Sequence, residues 1–201
     1  MEEEGIIFRT GVNVGGDLSV DELRKDYGAV VLCGGAQKPR DLPLEGRDLD
    51  GIHFAMDFLP QQNQRNEGDT IPENTSITAK NKNVLVIGGG DTGSDCLGTS
   101  LRQGAKKVYQ FELLPQPPEK RAAGNPWPQW PRTLRVSSSH EENRTQVTEY
   151  CVSSKKFSGK DGKVKKVHAV RIQFGEPDPK TGRPQMLEVP GSDFELDVDL
   201  V

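Results

Sequence analysis

At 201 residues with a formal net charge of −4, the chain is long enough for one or two packed domains and carries no basic excess that would mark a nucleic-acid partner. Hydrophobic residues make up 33% and charged residues 28%, an ordinary balance for a globular protein, and no apolar run approaches the ~20 residues of a membrane helix. The acidic start, "MEEEGIIFRT", lacks the basic, apolar and small-residue regions of a signal peptide, so the expected compartment is the cytoplasm.

In chain order, "IIFRTGVNV" (6–14) reads as a strand with a turn, and Ser19-x-x-Glu22 as a capping box that starts a short helix stopping near Gly28. "AVVLC" (29–33) is a continuous β-prone run, the pattern of a strand covered on both faces. A glycine and proline loop, "GGAQKPRDLPLEG", follows it. Beyond Gly51, Ile52, Ala55, Met56 and Leu59 recur at helical spacing, and the polar segment from Gln61 to Asn83 reads as a surface connection. "NVLVIG" then gives a strand, a glycine turn, a helix of about ten residues ending near Gly104, and a second strand, "KKVYQFELLP", ending at Glu112. The order β, turn, α, β is the unit of parallel sheets.

From Pro115 to Pro131 the chain holds six prolines and both tryptophans, a structured loop in which burial of Trp127 and Trp130 is the favoured anchor, ahead of a role lining a surface near a ligand. Farther on, "SGKDG" joins two β-prone arms into a hairpin. After a turn at "PDPKTGRP" come "QMLEV" and "FELDVDLV", completing an antiparallel meander that feeds one more strand. The three cysteines, Cys33, Cys96 and Cys151, have no metal-ligand spacing; Cys33 and Cys96 read as buried packing residues. His140, in "SSSHEEN", reads as part of a solvated loop or helix start, and His168 as a strand residue without a function. Lys120 and Arg121 read as surface charges, and Lys155 to Lys166 as a solvated hairpin.

The stretch that carries chemistry is "NVLVIGGGDTGSDC". Its Gly88-x-Gly90-x-x-Gly93 spacing follows a strand and opens a helix, and Glu112 falls 19 residues after Gly93, at the end of the next strand. Gly88 allows the tight exit, Gly90 lets a pyrophosphate approach, and Gly93 permits close packing of helix on strand. Gly89, Asp91 and Thr92 complete the phosphate-facing turn, whose N–H groups have the helix dipole behind them. Glu112 would accept from the ribose hydroxyls of NAD and repel the 2′-phosphate of NADP, so NAD(H) is favoured over NADP(H).

Longer stretches resemble one family. "GIHFAMDFLPQQN", "VLVIGGGDTGSDCLGTSLRQGAKKV", "FELLPQPPEKRAAGNPWPQWP" and "SSSHEE" look like the small (β) subunit of glutamate synthase in its NADH-type form. That is a flavoprotein with two dinucleotide-binding domains, one inserted in the other. "VVLCGGAQKPRDLPLEG" resembles the segment near their crossing point, where Cys33-Gly34-Gly35 replaces a more usual Ala-Thr-Gly. The resemblance implies an α/β fold: a Rossmann-like doubly wound parallel sheet with an antiparallel β-meander, plus a partial FAD-domain segment. Residues 1–60 would be that segment, 61–82 a connection, and 83–201 the NAD(P)H-binding domain, cut at its return to the FAD domain. It further implies hydride transfer from the reduced nicotinamide to FAD. Electrons would then pass through iron–sulfur clusters ligated elsewhere to a large subunit that makes glutamate from glutamine and 2-oxoglutarate. Gly34 and Gly35 would approach the flavin in the intact subunit, and no catalytic side chain is required. The family's cysteine-rich N-terminal segment and first FAD glycine motif are missing, so the chain alone is expected to bind NAD(H) without turnover. The alternatives are a related FAD-dependent reductase with another acceptor and a non-catalytic nucleotide-binding module.

Overall fold

The computed structural model describes residues 1–36, 38–142, 148–182 and 184–201. Gln37 and Arg183, in two of the expected loops, lie outside this set. The chain divides into two units, Met1–Lys38 and Pro39–Val201. No helix of the described residues is long and apolar enough to cross a membrane.

In the first unit the capping box forms as expected. The Ser19 hydroxyl accepts from the Glu22 N–H at 3.1 Å, Glu22 accepts from the Ser19 N–H at 2.9 Å, and helix α1 spans Val20–Asp26. The two strands expected here do not form. Residues 6–14 make only an isolated bridge, Val14 to Leu18, and residues 29–33 are irregular, with Val31 and Leu32 81% and 88% exposed. Cys33 is exposed rather than buried. A β-prone run becomes a strand only where another strand takes up its N–H and C=O groups, and no ladder of the described residues includes 29–33.

The second unit begins with helix α2, Ala55–Asn66, which runs well past Leu59 and carries Pro60 within it. The segment after it is not a surface connection: Ile77 and Ala79 are buried. Its polar neighbours satisfy its backbone instead. Gln61 donates to the Thr75 carbonyl and accepts from the Ile77 N–H, both at 2.9 Å, while Arg65 donates to the Ile77 carbonyl at 3.2 Å. The β, turn, α, β unit follows: β1 (Asn83–Ile87), α3 (Asp91–Arg102) and β2 (Lys107–Glu112), then a short α4 (Ser138–Glu142) and β3 (Thr148–Tyr150). The three strands form a parallel sheet in the order β1-β2-β3. The meander consists of β4 (Val152–Lys160), β5 (Lys163–Pro177), β6 (Pro184–Glu188) and β7 (Phe194–Asp197). The β4–β5 hairpin turns at Asp161 and Gly162, whose φ values of 54° and 75° suit the twist of the paired strands. β6 and β7 both pair with β5, antiparallel. The basic hairpin is matched in charge: Lys155 pairs with Glu188 and Asp193, Lys165 with Asp199 and Lys166 with Glu195.

After β7 the chain returns to the parallel sheet. Leu200 bridges Val84 in parallel, and its carbonyl accepts from the Leu85 N–H at 2.9 Å. β1 is therefore bonded on both edges. Its alternating side chains serve two cores: Val84 and Val86 pack with Phe58, Cys96 and Leu97 on the helix side, and Leu85 packs with Phe157, Val164 and Val167 on the meander side. Leu97 has no exposed surface, so Leu97→Ala should cost about 2–5 kcal/mol in denaturant unfolding, as buried leucine truncations do. Leu32→Ala, at a site 88% exposed, should stay within about 0.5 kcal/mol of the native chain.

Candidate functional site

The turn between β1 and α3 has the geometry its glycines allow. Gly88 adopts a φ of +120°, a conformation that L side chains rarely adopt. A Cβ on Gly93 would collide with the Gly88 carbonyl and come within 3.0 Å of the Gln110 amide nitrogen, so this position is closed to any side chain. Gly90, the residue before α3, has open space where a Cβ would be, and no side chain caps the helix. Among the described residues, no side chain accepts from the Asp91 and Thr92 N–H groups of the first turn, at the positive end of the helix dipole. A cleft of about 820 Å³ opens at the turn, lined among others by Gly88, Gly90, Gly93, Arg40, Arg47 and His53.

Glu112 is brought to the turn as its spacing predicts. One carboxylate oxygen accepts from the Gly89 N–H at 2.6 Å and the other from the Leu114 N–H at 2.8 Å. With about four acceptor positions on an ionised carboxylate, roughly two remain for a ligand's hydroxyls. Its charge also reaches its register partner on β3. Burial, and then the Glu112 carboxylate, push the Tyr150 phenol above its ordinary value. Gly34 and Gly35 lie in the first unit, in irregular exposed chain, with nothing within 4 Å of a Cβ at either.

Sequence reasoning missed Gln110, which has no exposed surface. It donates to the Gly88 carbonyl at 2.9 Å and accepts from Thr148 and His140, each at 2.9 Å. Its signal was present: a lone amide inside the apolar strand "VYQFE" must be fully bonded to be tolerated. His140 accordingly belongs to a helix packed on the site, not to a solvated loop. Trp127 and Trp130 are 82% and 72% exposed, so burial does not anchor their loop. Asn125 does so instead, donating to the Trp130 carbonyl and accepting from the Arg132 N–H, while Arg121 donates to the carbonyls of Asn125 and Gln129. Arg121 is therefore a brace and not merely a surface charge.

Two titratable groups in the cleft bear on its chemistry. Burial and the neighbouring Asp95 push the Cys96 thiol up to about 11, so it stays protonated and unreactive near neutral pH. Burial holds His53 below its ordinary value, more strongly than Asp57 pulls it up. Among the described residues, no cluster of His, Cys, Asp and Glu could hold a metal ion.

No family model matches the chain. Among curated proteins, its whole length is 48% identical to a glutamate synthase [NADPH] small chain of Mycobacterium tuberculosis, of which it covers 40%. It is 47% identical to a glutamate synthase [NADH] of Schizosaccharomyces pombe, covering 10% of that protein, and 39% identical to a Bacillus subtilis glutamate synthase [NADPH] small chain, covering 41%. The resemblance to glutamate synthase small subunits read from the sequence is thereby borne out along the entire chain, which spans about two-fifths of the small chains it matches. Among solved structures, Mycobacterium tuberculosis FprA in complex with NADPH shares the fold at 20% identity and a TM-score of 0.56, over 94% of this chain and 52% of FprA.

A neutral His53 is favoured by the folded state, so stability is full above the unfolded value of 6.5 and falls as pH drops below it. Denaturant unfolding at pH 7.5 and 5.5 should show this loss, and His53→Gln should reduce it. Gly93→Ala should cost about 1–3 kcal/mol by overpacking, read as a lower Tm.

Proposed function

We propose that this chain is the pyridine-nucleotide-binding part of a glutamate synthase small subunit, a homologue of the small chains it matches. The observation that carries this reading is the glycine turn seated against Glu112. It offers open backbone at Gly90, unclaimed N–H groups at the start of α3, and a carboxylate with acceptor capacity to spare. Those features fit a dinucleotide: the turn, Gly88 to Gly93, holds the pyrophosphate, and Glu112 takes the adenosine ribose. In the intact subunit the bound nicotinamide supplies a hydride to FAD. What this chain does is bind and orient the nucleotide.

The matched relatives are named for both NADPH and NADH, so the choice between them rests on Glu112. A carboxylate beside the 2′-position repels a phosphate there, and the side chain's contacts with the turn keep it there. NADH is therefore the favoured donor. Residues 1–60, with Gly34 and Gly35, belong in this reading to the FAD-binding domain, residues 61–82 to a connection, and 83–201 to the NAD(P)H-binding domain. In this reading turnover belongs to the intact subunit, and this chain supplies its nucleotide site. Iron–sulfur clusters and the glutamate-forming large subunit are its partners in the whole enzyme, in the cytoplasm.

Calorimetric titration of the chain with NADH and NADPH should show tighter NADH binding by about tenfold, or 1.4 kcal/mol. Glu112→Ala should shrink that preference to within about threefold. Equal or tighter NADPH binding by the native chain would overturn the Glu112 argument. If neither bound, the site would require the rest of the subunit, and the reading for the isolated chain would fail.

A further inference from the structure

We propose that Gln110 and His140 are positioning residues that lock one peptide plane of the glycine turn in its ligand-binding orientation; this rests on the nucleotide-binding reading above. The Gly88 carbonyl and the Gly89 N–H belong to the same peptide unit and point in opposite directions. Gln110 donates to that carbonyl at 2.9 Å, and Glu112 accepts from that N–H at 2.6 Å. Two residues apart on β2, they share a face of the sheet about 6.6 Å apart, which suits a grip on the two ends of one peptide. It is the same face on which Val108 meets the helix-side core.

A lock is needed because the peptide joins two glycines. With no Cβ on either side, rotating it by half a turn meets little steric resistance, and the flipped form would turn the Gly88 carbonyl away from Gln110. Free to flip, the turn would spend part of its time with that carbonyl facing the Glu112 carboxylate, out of the conformation that sets the N–H groups at the start of α3 toward the cleft. Nucleotide affinity falls in proportion to the population of the competent form.

His140 sets which way the Gln110 amide faces. The Ser137 hydroxyl lies 2.7 Å from His140 Nδ1, and Nε2 lies 2.9 Å from Gln110 Oε1. With the serine donating to Nδ1, the proton sits on Nε2 and is given to Gln110 Oε1. Thr148 donates to the same oxygen at 2.9 Å. Two donors on Oε1 leave the NH2 end of the amide for the Gly88 carbonyl. Helix α4 delivers His140 by lying against α3 at Gly98, where a Cβ would collide with the Ser139 hydroxyl. The relay runs from α4 through a buried amide to the turn, and touches no ligand.

The test uses the chain with Gln110→Met, His140→Phe and His140→Gln, the last keeping an N–H donor at the position of Nε2. Without ligand, amide exchange at Gly89 should accelerate about tenfold in the first two variants and stay within about twofold of native in His140→Gln. ADP-ribose, which carries the pyrophosphate, should bind about tenfold more weakly to the first two, while adenosine affinity stays within about twofold. Merely structural damage would weaken both ligands together, and would not be rescued by glutamine at 140. If Gln110→Met fails to fold, the two His140 variants decide the matter. Gly89 exchange and ADP-ribose affinity unchanged in His140→Phe would overturn the proposal. A native chain that binds no ADP-ribose, yet loses Gly89 protection in the variants, would overturn the nucleotide reading and this use of the lock with it.

Discussion

Strand β1 has no free side. Its edges are bonded to β2 and to the returning chain at Leu200, and its two faces are packed into separate cores. A strand so enclosed must be apolar at every interior position, as Val84, Leu85 and Val86 are. It ends at Ile87: Gly88 still donates to the Phe111 carbonyl of β2, but at a φ of +120° it turns the chain into α3. Everything that can meet a ligand here is placed relative to the point where β1 stops.

The neighbouring strand meets the same constraint with different residues. Along its helix-facing side β2 presents Val108, Gln110 and Glu112 in succession: one residue for the core, one for the turn's carbonyl, one for its N–H. A single alternating face thus passes from hydrophobic packing to holding the glycine turn over three side chains. Gln110 is the costly member, since a buried amide is tolerated only when its donors and acceptors are matched. That need links β2 to α4 and β3, through His140 and Thr148, and makes the glycine turn depend on elements distant in sequence.

Homology and fold describe the chain at different grain. Identity near one half along the whole chain connects it to glutamate synthase small chains, while FprA, at 20% identity, shares only the architecture. Neither decides the nucleotide. The local electrostatics of Glu112 bear on that choice, because a carboxylate fixed by two backbone N–H groups cannot swing aside cheaply for a phosphate.

How much was legible in the sequence depended on how local the cause was. The capping box at Ser19, the Asp161-Gly162 hairpin turn, the order β, turn, α, β, and the placement of Glu112 against the turn all follow from short-range spacing and backbone conformation, and the sequence determined them. Where residues are satisfied by distant partners, it did not. "AVVLC" reads as a strand but has no ladder to join; Gln61 and Arg65 read as surface polarity but bond the backbone of a buried segment. Trp127 and Trp130 read as anchors, yet Asn125 and Arg121 hold their loop. Gln110 and His140, thirty positions apart, acquired their roles only when the folded chain set α4 beside β2. A hydrogen bond between remote residues leaves no period in the sequence, so tertiary structure alone could decide it.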